Sequence, residues 1–110
     1  MDLNSKIVQA NSPNTPTKVL EQLATDADYL VRLGVAHNPN TPPKILEQLA
    51  TDKNLGVRYW VTRNPNTPPK TLEVLATDKS SEVRECVARN PNTPHYIKKY
   101  LKIQEHLKTL

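Results

Sequence analysis

The chain has 110 residues, with 15 Lys or Arg against 11 Asp or Glu, for a formal net charge of +4. That length suits one domain with one modest core, and no apolar run approaches the roughly 18 residues of a membrane span. A single cysteine, Cys86, excludes an intrachain disulfide and a cysteine metal cluster. The first ten residues lack the basic-then-apolar layout of a secretory leader, so the expected setting is cytoplasmic, away from membranes. Ten prolines and no phenylalanine depart from ordinary usage, in which Pro is nearer ~5%. The prolines must therefore punctuate the chain at regular positions.

They do. Residues 38–63 read NPNTPPKILEQLATDKNLGVRYWVTR and residues 64–89 read NPNTPPKTLEVLATDKSSEVRECVAR, identical at 18 of 26 positions. The preceding unit, 12–37, reads SPNTPTKVLEQLATDADYLVRLGVAH. A partial unit over residues 1–11 comes first, and a partial unit with a C-terminal cap fills 90–110. Self-similarity at such a fixed period is the mark of a repeat architecture, so the whole chain is expected to be one repeat domain.

Each unit reads as two helices of about 9–11 residues. Thr41 is expected to cap the first, with Pro42 at the first helical position, where a missing N–H costs nothing. Thr15-Pro16, Thr67-Pro68 and Thr93-Pro94 repeat the signal. Leu46, Leu49 and Ala50 then recur at helical spacing, matched by Leu20, Leu23 and Ala24 and by Leu72, Leu75 and Ala76. The second helix is expected to open near Asp52, itself a candidate cap. Its buried stripe would be Val57, Trp60 and Val61, with Val31, Gly34 and Val35 and then Val83, Cys86 and Val87 as equivalents. The Asn-Pro pairs at Asn38, Asn64 and Asn90 end it, because the residue before proline is pushed out of the helical region. Helices this short are marginal alone, so stability must come from stacking. Residues 95–110 read as a longer amphipathic capping helix, with Ile97, Tyr100, Leu101, Gln104 and Leu107 along one side.

The combination NPNTPP, LxxLATD, then VRxxVAxNP resembles the leucine-rich repeat variant family over about residues 5–101. The resemblance implies an all-α, right-handed, HEAT-like helical-repeat solenoid with a 26-residue period. In it an α-helix alternates with a second helix that is often 3₁₀; which of the two would be 3₁₀ stays open here. A member of that family carries an iron–sulfur cluster in a separate cysteine-rich segment. No such segment occurs in this sequence, and no cofactor is expected. The repeat family implies no reaction of its own.

The residues that recur with the period are candidates for structure or for binding. Asp26, Asp52 and Asp78 and Arg32, Arg58 and Arg84 are expected to form an Asp–Arg ladder between neighbouring units, with an anion-binding arginine column as the alternative. His37, Arg63 and Arg89 stand just before the Asn-Pro pairs that end the second helix, where a cation meets the helix dipole favourably; the alternative is a ligand-facing ridge. The units differ at Leu33-Gly34, Tyr59-Trp60 and Glu85-Cys86. Trp60 and Cys86 are expected to fill core, and Tyr59 to serve as an exposed contact anchor. The candidate interaction surface is therefore Leu33, His37, Tyr59, Arg63, Glu85 and Arg89. His95 and His106 lack a third ligand, so no metal site is expected. No nucleophile–base pair or Gly-rich phosphate loop is legible, and no catalytic residue is expected.

Charge bears on the partner. Residues 1–94 carry 11 basic and 10 acidic side chains, whereas 95–110 carry four lysines and only Glu105. A phosphate-tracking surface should be continuously basic, which the body of the chain is not. The leading expectation is a non-enzymatic scaffold that binds another protein or peptide through its variable residues. Nucleic-acid binding through the basic ridge and the Lys-rich terminal helix is the alternative, and self-association through the N-terminal end is a third expectation.

Overall fold

A computed structural model describes all 110 residues. It contains eight α-helices and no strand: α1 (Leu3–Asn11), α2 (Thr17–Leu23), α3 (Tyr29–His37), α4 (Pro43–Leu49), α5 (Leu55–Arg63), α6 (Pro69–Leu75), α7 (Ser81–Arg89) and α8 (His95–Lys108). Both helices of each pair are α-helical, so the 3₁₀ alternative is not adopted. No helix is long and apolar enough to cross a membrane.

The even helices α2, α4 and α6 have only seven residues, and the capping expected at Thr41 is corrected. Pro42 is the N-cap of α4, extended at φ −64° and ψ 153°, and Pro43 is the first helical residue. Proline is tolerated there because the first-turn N–H groups have no intrahelical partner. The Thr41 hydroxyl instead donates backward to the Val35 carbonyl at 2.6 Å. Thr67 and Thr93 donate in the same way to Val61 and Val87, at 2.5 and 2.7 Å. This threonine thus adds a second donor to a last-turn carbonyl that also accepts from the C-cap asparagine N–H at 3.2 Å, helping to close the helix C-terminus.

The expected start of the odd helices at Asp52 is corrected too. The Asp52 carboxylate accepts from the Asn54 N–H at 2.8 Å, an Asx turn that redirects the chain. Asn54 is the N-cap of α5 and accepts from Val57 N–H at 3.2 Å. Asp28 caps α3 through Leu30 N–H at 2.8 Å.

The core is one cluster of 20 apolar residues. Leu20, Leu46 and Leu72 from the even helices meet Val31, Val35, Val57, Val61, Val83 and Val87 from the odd ones, each at most 1% exposed. The odd helices pack in series, α1 on α3, α3 on α5 and α5 on α7, while α4 rests on both α3 and α5, and α6 on both α5 and α7. The result is a rod of 52 × 21 × 16 Å. α1 and α3 approach closely at Gly34, where a Cβ would stand 2.8 Å from the Ala10 methyl and 2.7 Å from Asn11 Nδ2.

Two expectations about burial change. Trp60 and Cys86 are only half-buried, although Gly34 of the same column is buried; Trp60 packs against the core and its ring also meets the exposed His37. On α8, only Ile97 and Leu101 of the expected stripe are buried, and Tyr100 and Leu107 are 43% and 54% exposed. The reason is length. α8 runs for 14 residues, twice the span of α6, and it packs chiefly against α7.

The loops between units carry a second set of bonds. Asn64, 2% exposed, donates from Nδ2 to the carbonyls of Ala36 and Asn38, both at 2.8 Å, while its Oδ1 accepts from Asn66 N–H at 2.9 Å. Asn38 repeats this on Ala10 and Ser12, at 2.9 and 2.7 Å, and Asn90 reaches Thr62 at 2.7 Å. Asn66 Nδ2 adds a more exposed bond to the Pro39 carbonyl at 2.6 Å. Asn64→Ala should leave the Ala36 carbonyl and the Asn66 N–H without their partners, while the Asn38 carbonyl keeps the Thr41 N–H at 3.1 Å, and cost about 2–4 kcal/mol, at roughly 1–3 per unsatisfied group. Asn66→Ala should cost about 1 kcal/mol or less, since its groups reach water. Urea denaturation of the two variants checks the order; equal losses would contradict it.

Candidate functional site

The recurring Asp and Arg side chains lie at the turns between even and odd helices. Arg58 donates from Nη1 to the Asp52 carbonyl at 2.8 Å, which ties it to its own unit. Its Nε and Nη2 then fork onto Asp78 of the next unit, at 2.8 and 3.3 Å. Arg32 repeats the arrangement, with Nη1 on the Asp26 carbonyl at 2.8 Å and Nε and Nη2 on Asp52 at 2.7 and 3.3 Å. These are bidentate, charge-assisted pairs, and all four side chains are at most 9% exposed. The bond from Asp52 raises the pKa of Arg32 further above its ordinary value.

The two ends of the row differ from its middle. Asp26 receives Lys6 Nζ at 2.8 Å, and that lysine is 34% exposed. The bond from Lys6, with a second from Asp28 N–H, lowers the Asp26 pKa below the usual carboxylate value. Arg84 keeps its anchor on the Asp78 carbonyl at 2.7 Å but forms no ion pair.

His37, Arg63 and Arg89 are the last residues of α3, α5 and α7, all exposed, where positive charge complements the helix dipole. His37 Nδ1 lies 3.1 Å from Asn11 Oδ1. Because Asn11 Nδ2 donates to the Ile7 carbonyl, Oδ1 is the acceptor, and the histidine donates from Nδ1. The His37 ring stands edge-on to Trp60 at 4.7 Å between centroids, and Tyr59 meets Trp60 edge-on at 5.5 Å. The Arg63 guanidinium lies 5.6 Å from the Trp60 centroid and 5.7 Å from that of Tyr59, within cation–π range. Arg63, Cys86 and Arg89 also line a shallow hollow of about 270 Å³ at the ends of α5 and α7.

Three of the six candidate surface residues, His37, Tyr59 and Arg63, are thus brought together around Trp60, and Arg89 lines the hollow with Arg63. Leu33 is half-buried against the core, and its Cδ1 lies 3.2 Å from where a Cβ on Gly56 would stand. It serves the contact between α3 and α5 rather than the surface. Glu85 is exposed and lines a different groove, toward α8. Sequence reasoning left Trp60 out of the surface; its place in a column with Gly34 and Cys86 resembles core, and only the packing shows it at the rim. Tyr96, which donates to Glu73 Oε2 at 2.9 Å, carries no sequence signal of its own.

Residues 29–54 match the family model described as leucine rich repeat variant, which supports the resemblance read from the repeats. The matched stretch runs from α3 through α4 to the N-cap of α5 and contains the Arg32–Asp52 pair. No curated protein and no solved structure matches the chain.

Asp52→Asn leaves Arg32 buried without its counter-charge and should cost about 3–5 kcal/mol. Replacing both partners, Arg32→Met with Asp52→Leu, removes the uncompensated charge but takes the partner from the Asp26 carbonyl and from the Asn54 N–H, so it should recover only part of that loss. Thermal unfolding of the single and double variants measures both. The Lys6–Asp26 pair predicts a pH effect with a definite sign. Asp26 is depressed in the folded state, so its contribution is complete above the unfolded aspartate value of about 3.9 and is lost as pH falls through the lower folded value. Asp26→Asn should flatten that acid limb in a plot of Tm against pH; an unchanged limb would place the acid sensitivity elsewhere.

Proposed function

Taking residues 29–54 as a leucine rich repeat variant repeat, we propose that the chain is a right-handed solenoid of 26-residue units that binds another protein or a peptide and catalyses no reaction. The binding surface is the rim of the odd-helix row, where His37, Tyr59, Trp60 and Arg63 cluster beside the hollow at Arg89. The observation that carries this reading is that cluster. It is a half-exposed pair of aromatic rings topped by a guanidinium, the composition of an interaction anchor, and it stands where the units differ in sequence. The scaffold residues support it from behind, since Arg58, Asn64 and Val61 are all committed to inter-unit packing. The packing of odd helices on one another, with the even helices resting between them, supports a concave odd-helix side.

Trp60 is the only tryptophan and reports directly on the site. Affinity capture with the full chain and with a Tyr59→Ala, Arg63→Ala double variant tests the reading. The expected outcome is loss of captured protein with the double variant, together with a shift of Trp60 emission when the captured protein is added to the wild type. Equal capture by both forms removes this face as the interface. Capture of nucleic acid alone, lost on raising salt, replaces the reading with electrostatic phosphate binding.

A further inference from the structure

Arg84 occupies the third position of the Asp–Arg row, and it is oriented as the other two are. Arg32, Arg58 and Arg84 each donate Nη1 to the carbonyl of the aspartate six residues earlier, at 2.8, 2.8 and 2.7 Å. In the first two, that anchor leaves the Nε/Nη2 edge facing a carboxylate, which it grips with two bonds. In the third, the same edge has no protein acceptor. The acid due twenty residues later is Gln104. No buried side-chain nitrogen or oxygen is unsatisfied, so Nε and Nη2 of Arg84 must reach solvent.

That solvent is a groove. Between α7 and the second half of α8 runs a depression of about 660 Å³ lined by Arg84, Arg89, Lys98, Lys102 and Lys108, with Gln104 among its walls. Leu101 lies in the floor, and Glu85 and Glu105 stand on its sides. We propose that this groove is a docking site for an acidic peptide segment of a partner protein, with one Asp or Glu carboxylate seated in the Arg84 fork. Three features select that ligand. The fork is held in the geometry that two copies of it already use for carboxylates, so little ordering is left for binding to supply. The surrounding lysines are flexible point charges suited to further acids along an extended segment. The two glutamates repel a continuous phosphate backbone, whereas discrete carboxylates can be spaced around them. The groove shares Arg89 with the hollow beside the Tyr59–Arg63 cluster but contains neither Tyr59 nor Arg63, and its Arg84 fork stands whether or not that cluster is an interface.

Fluorescence anisotropy of a fluorescein-labelled hexaglutamate peptide with the full chain tests the proposal. Binding is expected to weaken with salt and to fall about tenfold in Arg84→Gln, the scale of one lost charge-assisted pair. Arg84→Lys, which keeps the charge but not the fork, should lose nearly as much. Gln104→Glu, which offers the groove its own acid, should compete and weaken binding severalfold. The Tyr59→Ala, Arg63→Ala variant should bind as the wild type does. Circular dichroism melting of each variant separates lost binding from lost fold, and Arg84→Lys with Gln104→Glu keep the test open if Arg84→Gln unfolds. Wild-type affinity in Arg84→Lys would reduce the groove to diffuse charge and overturn the proposal, as would tighter binding of a phosphoserine peptide or of duplex DNA than of hexaglutamate.

Discussion

The rest of the structure depends on the buried asparagines Asn38, Asn64 and Asn90. Each side-chain amide donates across to the last turn of the odd helix one repeat earlier, and its carbonyl turns back to hold its own loop. Seven- and nine-residue helices cannot close their own ends, since each leaves four N–H and four C=O groups without intrahelical partners. In this chain those orphans lie close together at every junction, and the cost of burying them would exceed what two turns of helix return. Asn38, Asn64 and Asn90 remove that cost by bonding carbonyls at the end of the odd helix one repeat earlier and in the loop after it. Thr41, Thr67 and Thr93 add a second donor to a carbonyl in the last turn of the helix before. The NPNT segment is therefore the joint that makes short helices stackable, and its prolines supply rigid, donor-free backbone where no donor is wanted.

The Asp–Arg row performs the corresponding task at the opposite end of the helices. Each arginine binds its own turn through a carbonyl and the next turn through a carboxylate, so one side chain fixes the offset between two units. Buried pairs of this kind contribute little net stability over apolar replacements; what they set is geometry, since a fork admits one register. The row also explains why its ends are chemically distinct from its middle. Interior residues are satisfied on both sides, whereas Lys6 replaces a fork with a flexible ammonium and Arg84 presents a fork with nothing in it. Chemistry available to a partner therefore collects at the termini of the row and at its rim.

Much of the architecture was legible because each unit solves the same problem with the same residues. Leu46, Val57 and Val61 read as core from spacing alone, and the structure buries all three completely. Legibility failed where a residue's partner lies in another unit. Thr41 reads as a cap for the helix after it, because the hydroxyl's acceptor, Val35, is invisible without the fold. Trp60 shares a column with Gly34 and Cys86 and so reads as interior, yet burial at that column depends on how closely two odd helices approach. Leu33 reads as a variable surface residue, although Gly56 on the neighbouring helix opens the space that receives it.

The sequence by itself determined that the chain is helical and which apolar residues face inward. Those properties follow from local dihedral preferences and from periodicities within one stretch of chain. Only the tertiary structure decided which carbonyls each Asn serves, which arginine is left without an acid, and which aromatic ring stands at the rim. These depend on distances between residues 20 to 28 apart in sequence, and side-chain hydrogen bonds at such separations are set by the offset between stacked helices, a quantity no single unit contains.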